Sequence, residues 1–400
     1  MRAREISLKN QQQSFSHRLS SLRSRVVGQG DDMLILSCLV LTALGLVMVY
    51  SASVYVAEKH FKTDWSIFFR QFRFLIIGFL ALFAGMFVDV QVYKKWIKVG
   101  MVVLVVMMAL QLFTPLGPVI ANTRRWFNFG IFKLQTSDLA RCFVVVFLAK
   151  ALAKEPDLAR RPNLRFWMVL GFAGVPILLT NLQPDLSGSL MIAAVAGLVL
   201  FLGGMSFLNT AVIGSLAVPG VVYLALRHPY QIRRLTEFIG SRFSGERMEY
   251  QTLQSLIGFG RGGFLGVGLG QGKQKMLFLP EPHTDFIFSI VGEELGLIGA
   301  AAVLGAFIVL GIRMIRIVHK QSDRFSFLLG SGLAASIILF AMVNMGVAIG
   351  LLPVTGLPLP FISSGGTNLI VSLWSVGVLW NLSRYSSLGY SGLSKTANRL

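Results

Sequence analysis

The sequence predicts an all-α polytopic membrane protein with ten transmembrane helices and a large extracytoplasmic loop between the seventh and the eighth. Charged residues make up 14% of the 400 residues and apolar residues 54%, whereas soluble domains carry roughly 25% charged residues. The mean hydropathy is +0.67, and apolar segments recur at the length of about 20 residues that a helix needs to cross a bilayer. A soluble fold would lack the polar residues to cover its surface, which excludes a cytosolic enzyme.

Ten apolar segments have the length and hydropathy of membrane spans. The predicted spans are 33–56, 67–88, 97–114, 136–153, 166–181, 186–204, 207–226, 285–312, 327–351 and 366–383. We predict a cytoplasmic N-terminal arm over 1–32, a membrane domain over 33–384 and a cytoplasmic tail over 385–400. Because the arm is polar and too long for the n-region of a signal peptide, the first span is expected to be an uncleaved anchor.

The basic excess of the chain has two consequences. Lys and Arg number 37 against 18 Asp and Glu, a net charge of +19. No basic run with interleaved aromatic residues is present, so nucleic acid is not an expected partner. Outside the long loop, the basic residues concentrate on the side that holds both termini, and the positive-inside rule therefore places both termini in the cytoplasm.

Cys38 and Cys142 lie within apolar segments and are expected to be buried thiols.

The predicted extracytoplasmic loop, 227–282, is too long to be structureless in a compact protein. Leu253, Leu256 and Ile257 have helical spacing beside polar residues, which predicts an amphipathic helix on the outer membrane surface; a mobile linker is the alternative. The glycine-rich stretch Gly266–Gly272 has only a superficial likeness to a nucleotide-binding loop, because no strand precedes it.

Ionisable residues inside the spans are candidate functional residues because charge is costly in lipid. Asp138 and Arg141 are three residues apart on one helix face. A structural ion pair and a substrate contact are equal alternatives for these two residues. A helix that begins near Thr284 would put Glu293 and Glu294 about 14 Å below the outer boundary. These carboxyl groups must then face a cavity, pair with a group such as Arg141, or be protonated.

Asp285 lies at the outer end of the eighth predicted span. One interpretation is a helix cap or first-turn acid, which is common. The other is a catalytic carboxylate whose pKa is raised by partial burial beside Phe286 and Phe288, which would make it a better base. His283 and Asp285 could also bind a cation, but no third ligand stands at a recognisable spacing.

Arg124, Arg125 and Trp126 form a short motif on an external segment between two predicted spans. Such residues commonly anchor a chain at the membrane interface. Two guanidinium groups would also suit a diphosphate, which arginine binds through paired hydrogen bonds. Both interpretations remain open from the motif alone.

Two long segments, Leu279–Gly296 and Gly350–Thr367, resemble the SEDS proteins (shape, elongation, division and sporulation), a family of polytopic peptidoglycan polymerases. Arg124–Trp126, Gln183–Leu186 and Tyr250–Ser255 are shorter matches, and the resemblance covers nearly the whole chain after the arm. It implies ten transmembrane helices and polymerisation of lipid II at the outer face of the cytoplasmic membrane. It also implies that Asp285 is the general base that activates the acceptor sugar hydroxyl.

The resemblance further implies a substrate-binding set and protein partners. Arg124, Arg125, Lys273 and Lys275 are candidates for the diphosphate of the substrate, since its negative charge rises as the bond breaks. The other candidate substrate-binding residues are Trp126, His283, Glu293, Asp138 and Arg141. A class B penicillin-binding protein transpeptidase and other divisome proteins are the implied partners. No cofactor is identified, and a divalent cation at the diphosphate stays open.

The chain departs from the family pattern at Asp138, where Glu is usual, and at Arg141, where Lys is usual. Gly266–Lys275 resembles the division branch, FtsW, whereas Pro353–Pro358 is closer to the elongation branch, RodA. The division branch is preferred, which implies a septal location, and an elongation polymerase is the alternative within the family. A lipid II flippase, which would depend on groups deep in the membrane, and a scaffold that only recruits a partner are the alternatives outside it.

Overall fold

The computed structural model describes residues 30–61, 65–115, 117–119, 123–128, 133–160, 162–215, 229–243 and 248–397. These residues are mostly helical. The elements in chain order are α1 (Asp32–Phe61), α2 (Ser66–Phe87), α3 (Val90–Phe113), β1 (Trp126–Asn128), β2 (Lys133–Gln135), α4 (Thr136–Lys154), α5 (Leu164–Leu182), α6 (Leu186–Leu202), α7 (207–215), α8 (Pro229–Phe243), α9 (Tyr250–Gly262), a π-helical turn (Gln274–Phe278), α10 (Ile287–His319), α11 (Arg324–Ala348) and α12 (Gly366–Ala397).

Six helices of the described part are long and apolar enough to cross a membrane: α1, α2, α3, α5, α10 and α11. They coincide with six of the predicted spans. The apolar helix α6 has 17 residues, and α4 carries Asp138, Arg141 and Lys150, which lower its hydropathy. The helix α12 begins at Gly366, where a span is predicted. Most of the seventh predicted span, 207–226, and the arm before residue 30 lie outside the described residues.

The interior is formed by helices that approach closely at glycine. α2 packs along α12, and α1 packs against α10. A Cβ atom on Gly377 of α12 would lie 2.2 Å from the carbonyl oxygen of Leu82 on α2, so only glycine allows these backbones to meet. The outward faces of α2 and α3 carry exposed apolar side chains such as Phe83, Phe87 and Val103. Exposed apolar surface on this scale is typical of a face that contacts lipid or another membrane protein.

The eighth predicted span, 285–312, overlaps α10, which begins two residues later at Ile287, and residues 281–286 form turns. Glu281 has a left-handed backbone conformation (φ 51°), which a helix does not allow. The carbonyl of Thr284 accepts a hydrogen bond from Ser363, and that of Asp285 accepts one from Asn344. These side chains replace the donors that a continuing helix would supply.

The connections between the helices contain two features that the sequence did not indicate. β1 and β2 form an antiparallel hairpin directly before α4, with Trp126 opposite Gln135. The helix α8 precedes α9 within the long loop.

The predicted helix at Leu253 is confirmed as α9. Its buried face is polar: Ser255 is fully buried and donates to the carbonyl of Ala348 (2.5 Å), while Leu253 and Ile257 are exposed. This arrangement is that of an amphipathic helix whose apolar face points away from the protein.

Candidate functional site

Asp285 lies in the turns that precede α10, and its backbone is held from two sides. The side-chain nitrogen of Asn344 on α11 donates to the carbonyl of Asp285 (2.8 Å) and to that of Leu357 (2.7 Å). The Ser363 hydroxyl donates to the carbonyl of Thr284 (2.5 Å). The N-cap of α10 is Phe286, which makes no side-chain cap, and the first turn holds no acid. Asp285 is therefore neither the cap nor a first-turn residue.

The carboxyl group of Asp285 is partly exposed, and the protein perturbs its pKa. The pKa is raised to about 6, mainly by burial and next by the negative charge of Glu281. Arg234, the hydrogen bond with Thr284 and Arg125 oppose the rise. A carboxylate with this pKa is largely ionised at neutral pH and is a stronger base than an ordinary aspartate. This group can accept a proton from a substrate hydroxyl.

Arg125 joins the hairpin to the junction between α5 and α6. Its Nε donates to the carbonyl of Gln183 (3.1 Å), a second nitrogen donates to the carbonyl of Pro184, and Nη1 lies 3.8 Å from Oδ1 of Asp185. The Arg125 side chain remains 28% exposed. Its positive charge therefore acts on both Asp185 and Asp285.

Arg124 and Trp126 flank Arg125 and are partly exposed. Nη1 of Arg124 donates to the carbonyl of Thr114 (2.9 Å), and the carbonyl of Arg124 accepts from Gln111 (2.9 Å). These contacts fix the segment before β1 against the end of α3. Arg124 therefore lies beside the site, and its Nη1 is already bound to the carbonyl of Thr114.

Asp138 and Arg141 are buried on α4, and within the described residues they do not form an ion pair with each other. Nη2 of Arg141 donates to Oδ1 of Asn368 on α12 (2.8 Å), and its guanidinium carbon lies 4.0 Å from the ring centre of Phe340. Nε and Nη1 of Arg141, and both polar side-chain atoms of the fully buried Gln183, lack hydrogen-bond partners in the described structure. Unpaired buried donors are uncommon in proteins, and these donors are available to bind a polar group.

Lys273, Lys275, Glu293 and Glu294 gather in a second, separate cluster. Lys275 is 2% exposed, and its Nζ lies 2.6 Å from Oε1 of Glu294. Glu293 pairs with Arg261 of α9 (3.3 Å), so of the three alternatives the carboxylates pair with basic groups, although the partner of Glu293 is Arg261 rather than Arg141. The ammonium group of Lys275 is enclosed and already bound to a carboxylate, which does not fit a diphosphate contact. The Lys273 side chain is exposed, while its backbone N–H binds Glu293 (2.8 Å).

His283 is buried beside Asp285, and burial lowers its pKa to about 4, so the imidazole is neutral. Its carbonyl accepts from the N–H of Ser364 (2.8 Å), and its Nε2 lies 4.0 Å from Glu281. Within the described part of the chain, no group of three or more His, Cys, Asp or Glu side chains is arranged to hold a metal ion.

Three residues of the site were not singled out from the sequence. Arg234 on α8 acts electrostatically on Asp285, Asp185 binds Arg125, and Asn344 holds the Asp285 backbone. A signal existed for Asn344, since it is a polar residue in an apolar span, as Glu293 is. Arg234 lies in the long loop with other basic residues, and only the folded chain distinguishes it from them.

Comparison with known proteins gives a consistent result. The family model FTSW_RODA_SPOVE, described as cell cycle protein, matches residues 31–388. A probable peptidoglycan glycosyltransferase FtsW of Geobacter sp. (strain M18) is 38% identical over 357 residues, which cover 89% of this chain and 97% of that protein. The stage V sporulation protein E of Bacillus subtilis (strain 168) is 38% identical over 358 residues, with the same coverage of 89% and 97%. A solved structure described as "Structural coordination of polymerization and crosslinking by a peptidoglycan synthase complex" has a TM-score of 0.72 and 27% identity, covering 90% of this chain and 98% of that chain.

Proposed function

The chain belongs to the FtsW/RodA/SpoVE family of cell cycle proteins, and on that premise we propose that it is a peptidoglycan glycosyltransferase that polymerises lipid II into glycan strands. The resemblance that the sequence indicated is confirmed by the family model and by relatives of 38% identity. Relatives named FtsW favour septal synthesis in cell division over synthesis in elongation.

The observation that carries the proposal is the environment of Asp285. The carboxylate is partly desolvated, its pKa is raised to about 6, and the residue remains partly exposed and interacts electrostatically with Arg234 and Arg125. Asp285 takes the proton from the acceptor sugar hydroxyl as that oxygen attacks the anomeric carbon of the donor. The bond from that carbon to the diphosphate oxygen breaks, and undecaprenyl diphosphate leaves with the bonding electron pair.

The remaining site residues supply charge and hydrogen bonds to the substrate. Arg125, Arg124 and Arg234 face the diphosphate, whose negative charge grows as the bond breaks. The unpaired donors of Arg141, beside Asp138, serve a polar group of lipid II. Trp126 and His283 line the approach to Asp285. Lys275 and Glu293 act inside the protein, where their contacts lie, rather than on the substrate.

The proposed topology has ten transmembrane helices in the cytoplasmic membrane, both termini in the cytoplasm and the loop 227–282 outside. The six long apolar helices and the basic residues at their inner ends support it. A transpeptidase of the class B penicillin-binding proteins is the proposed partner, supported by the similarity to a chain of a peptidoglycan synthase complex. With other divisome proteins, the pair would act at the septum.

Purified protein with its transpeptidase partner, supplied with lipid II in detergent, tests the proposal. We expect glycan strands from the wild type and a loss of at least about 100-fold in rate from Asp285→Asn, since a positioned general base contributes about 10²–10⁴-fold. Asp89→Asn is the matched control, because Asp89 caps α3 through Gln91 and takes no part in the site.

Polymerisation that survives Asp285→Asn would contradict the assignment of the base. A wild type that moves lipid II across vesicles but forms no strands would identify a transporter instead. Equal loss of rate in both variants would show that the effect is one of folding.

A further inference from the structure

Two adjacent carboxylates on α10 accept contacts from three separate parts of the chain. Glu294 accepts from the Ser51 hydroxyl on α1 (2.7 and 2.8 Å), from Nζ of Lys275 (2.6 Å) and from the N–H of Gly270 (3.1 Å). Lys275 also donates to Ser51 (2.9 Å). Glu293 accepts from the N–H groups of Lys273 (2.8 Å) and Gln274 (3.0 Å), and from Arg261 of α9 (3.3 Å). We call Ser51, Lys275, Glu293 and Glu294 the carboxylate cluster.

The glycine-rich stretch 266–275 folds around these carboxylates, which explains its composition. Gly266 has φ +81°, and a Cβ atom there would lie 2.1 Å from the carbonyl oxygen of Glu294. A Cβ atom on Gly272 would lie 2.9 Å from Oε2 of Glu293. The loop therefore presents successive backbone N–H groups to anions, as nucleotide-binding loops do. In this protein, the anions are two carboxylates of its own chain.

The carboxylate cluster is connected to Asp285 by a short segment with a constrained backbone. Between Lys275 and Asp285, Leu277 and Glu281 have positive φ angles of 68° and 51°. Non-glycine residues keep such conformations only where surrounding contacts impose them. Leu279 in the middle of the segment is buried, and its N–H donates to the carbonyl of Gln274 (2.9 Å). The segment is thus fixed at one end by Lys275 and at the other by the contacts of Thr284 and Asp285.

We propose that Lys275, Glu294 and Ser51 are positioning residues for Asp285: their buried contacts fix the start of the segment 275–285 and so hold the Asp285 carboxylate in its catalytic place. The proposal rests on the proposed function of Asp285 as the base. None of the three residues touches the substrate.

A second ion pair of α10 supplies a matched control. Arg313 of α10 binds Asp31, which directly precedes α1, with distances of 2.7 and 2.9 Å. Arg313 lies near the end of α10 away from Asp285, and its partner Asp31 precedes α1. Loss of this pair weakens the contact between α1 and α10, whereas loss of the Lys275–Glu294 pair releases the segment that leads to Asp285.

The test measures kcat and KM for lipid II with the purified protein and its partner. The variants are Lys275→Met, Lys275→Arg, the double variant Lys275→Met with Glu294→Gln, Ser51→Ala, and the control Asp31→Asn with Arg313→Gln. We expect Lys275→Met and the double variant to lower kcat by about 10- to 100-fold, the loss typical of a displaced catalytic group, with KM changed less than about 2-fold. Lys275→Arg keeps the charge and should recover part of kcat, and Ser51→Ala should lower kcat to a smaller extent.

The outcomes are distinct. The proposal is overturned if the double variant, or Ser51→Ala where the lysine variants do not fold, has the kcat of the wild type while Asp285→Asn is inactive. It is also overturned if the control pair lowers kcat as much as the double variant at equal thermal stability. An active Asp285→Asn variant would instead refute the proposed function itself.

Discussion

Asp285 gains its basicity from its place just outside a helix. A carboxylate in the first turn of α10 would receive the backbone N–H groups and the helix dipole, which stabilise the ionised form and lower the pKa. In the protein, α10 begins at Ile287, and Asn344 and Ser363 bind the carbonyls of the preceding turn. Burial then dominates and raises the pKa of Asp285 to about 6.

The pH dependence of polymerisation tests this environment. Because the base acts in its ionised form, kcat/KM should fall as the pH drops through about 6 and should level off above it. Glu281 raises the pKa of Asp285, so Glu281→Gln should move the inflection to lower pH. Glu237→Gln removes an acid bound to Arg233 on α8 and should leave the inflection in place. Rate profiles measured from pH 5 to pH 8 check both variants. An inflection that stays in place in Glu281→Gln would contradict the assignment of Asp285 as the base.

At the scale of elements, α10 is two helices joined at Gly296. This residue has φ 67° and ψ −165°, a conformation outside the helical region. The interruption frees the carbonyls of Glu293 and Glu294, which accept from the N–H groups of Val267 and Gly268 (both 3.0 Å). The glycine-rich loop therefore supplies the hydrogen-bond donors that the interrupted helix lacks at this point. Both carboxylates of the carboxylate cluster lie immediately before that gap.

Substitution of Gly296 should show how much this junction contributes to stability. A Cβ atom on Gly296 would lie 2.3 Å from the backbone nitrogen of Gly266. Gly296→Ala should lower stability by at least about 1–3 kcal/mol, because this backbone conformation is open almost only to glycine. Gly305 on the same helix has no atom within 4 Å of its Cβ position, so Gly305→Ala should be neutral or stabilising by about 0.5–1 kcal/mol. Thermal unfolding in detergent compares the two variants. Equal unfolding midpoints for Gly296→Ala and Gly305→Ala would contradict a stabilising role of the junction.

Local sequence features predicted the helices better than they predicted the contacts between distant residues. Apolar segments of helical length indicated α1, α2 and α3, and the spacing of Leu253 indicated α9, because both signals lie within one stretch of chain. The partners of charged residues depend on packing. Lys275 meets Ser51 across 224 positions, and the sequence instead indicated a role for Lys275 at the diphosphate. Asp285 was identified through the family motif, whereas its anchoring by Asn344 appeared only in the folded chain.

For the whole molecule, the separation of two faces by the membrane is the property on which the chemistry depends. In the proposed topology the site faces outward, where lipid II presents its sugars, and the basic residues near both termini lie inside. The exposed apolar sides of α2 and α3 form the belt between these faces. α8, with Arg234, must then lie on the same side as Asp285, as their electrostatic interaction requires.

Cysteine labelling in intact cells tests that orientation with little background, since Cys38 and Cys142 are 1% and 3% exposed. Thr236 on α8 and Ser322 between α10 and α11 are both exposed, and cysteine is close to each in size. The proposed topology puts Thr236 outside and Ser322 in the cytoplasm. A membrane-impermeant thiol reagent should therefore label Thr236→Cys in intact cells and label Ser322→Cys only after the membrane is permeabilised. Labelling of Ser322→Cys from outside, or of both positions alike, would refute the orientation and with it an outward-facing Asp285.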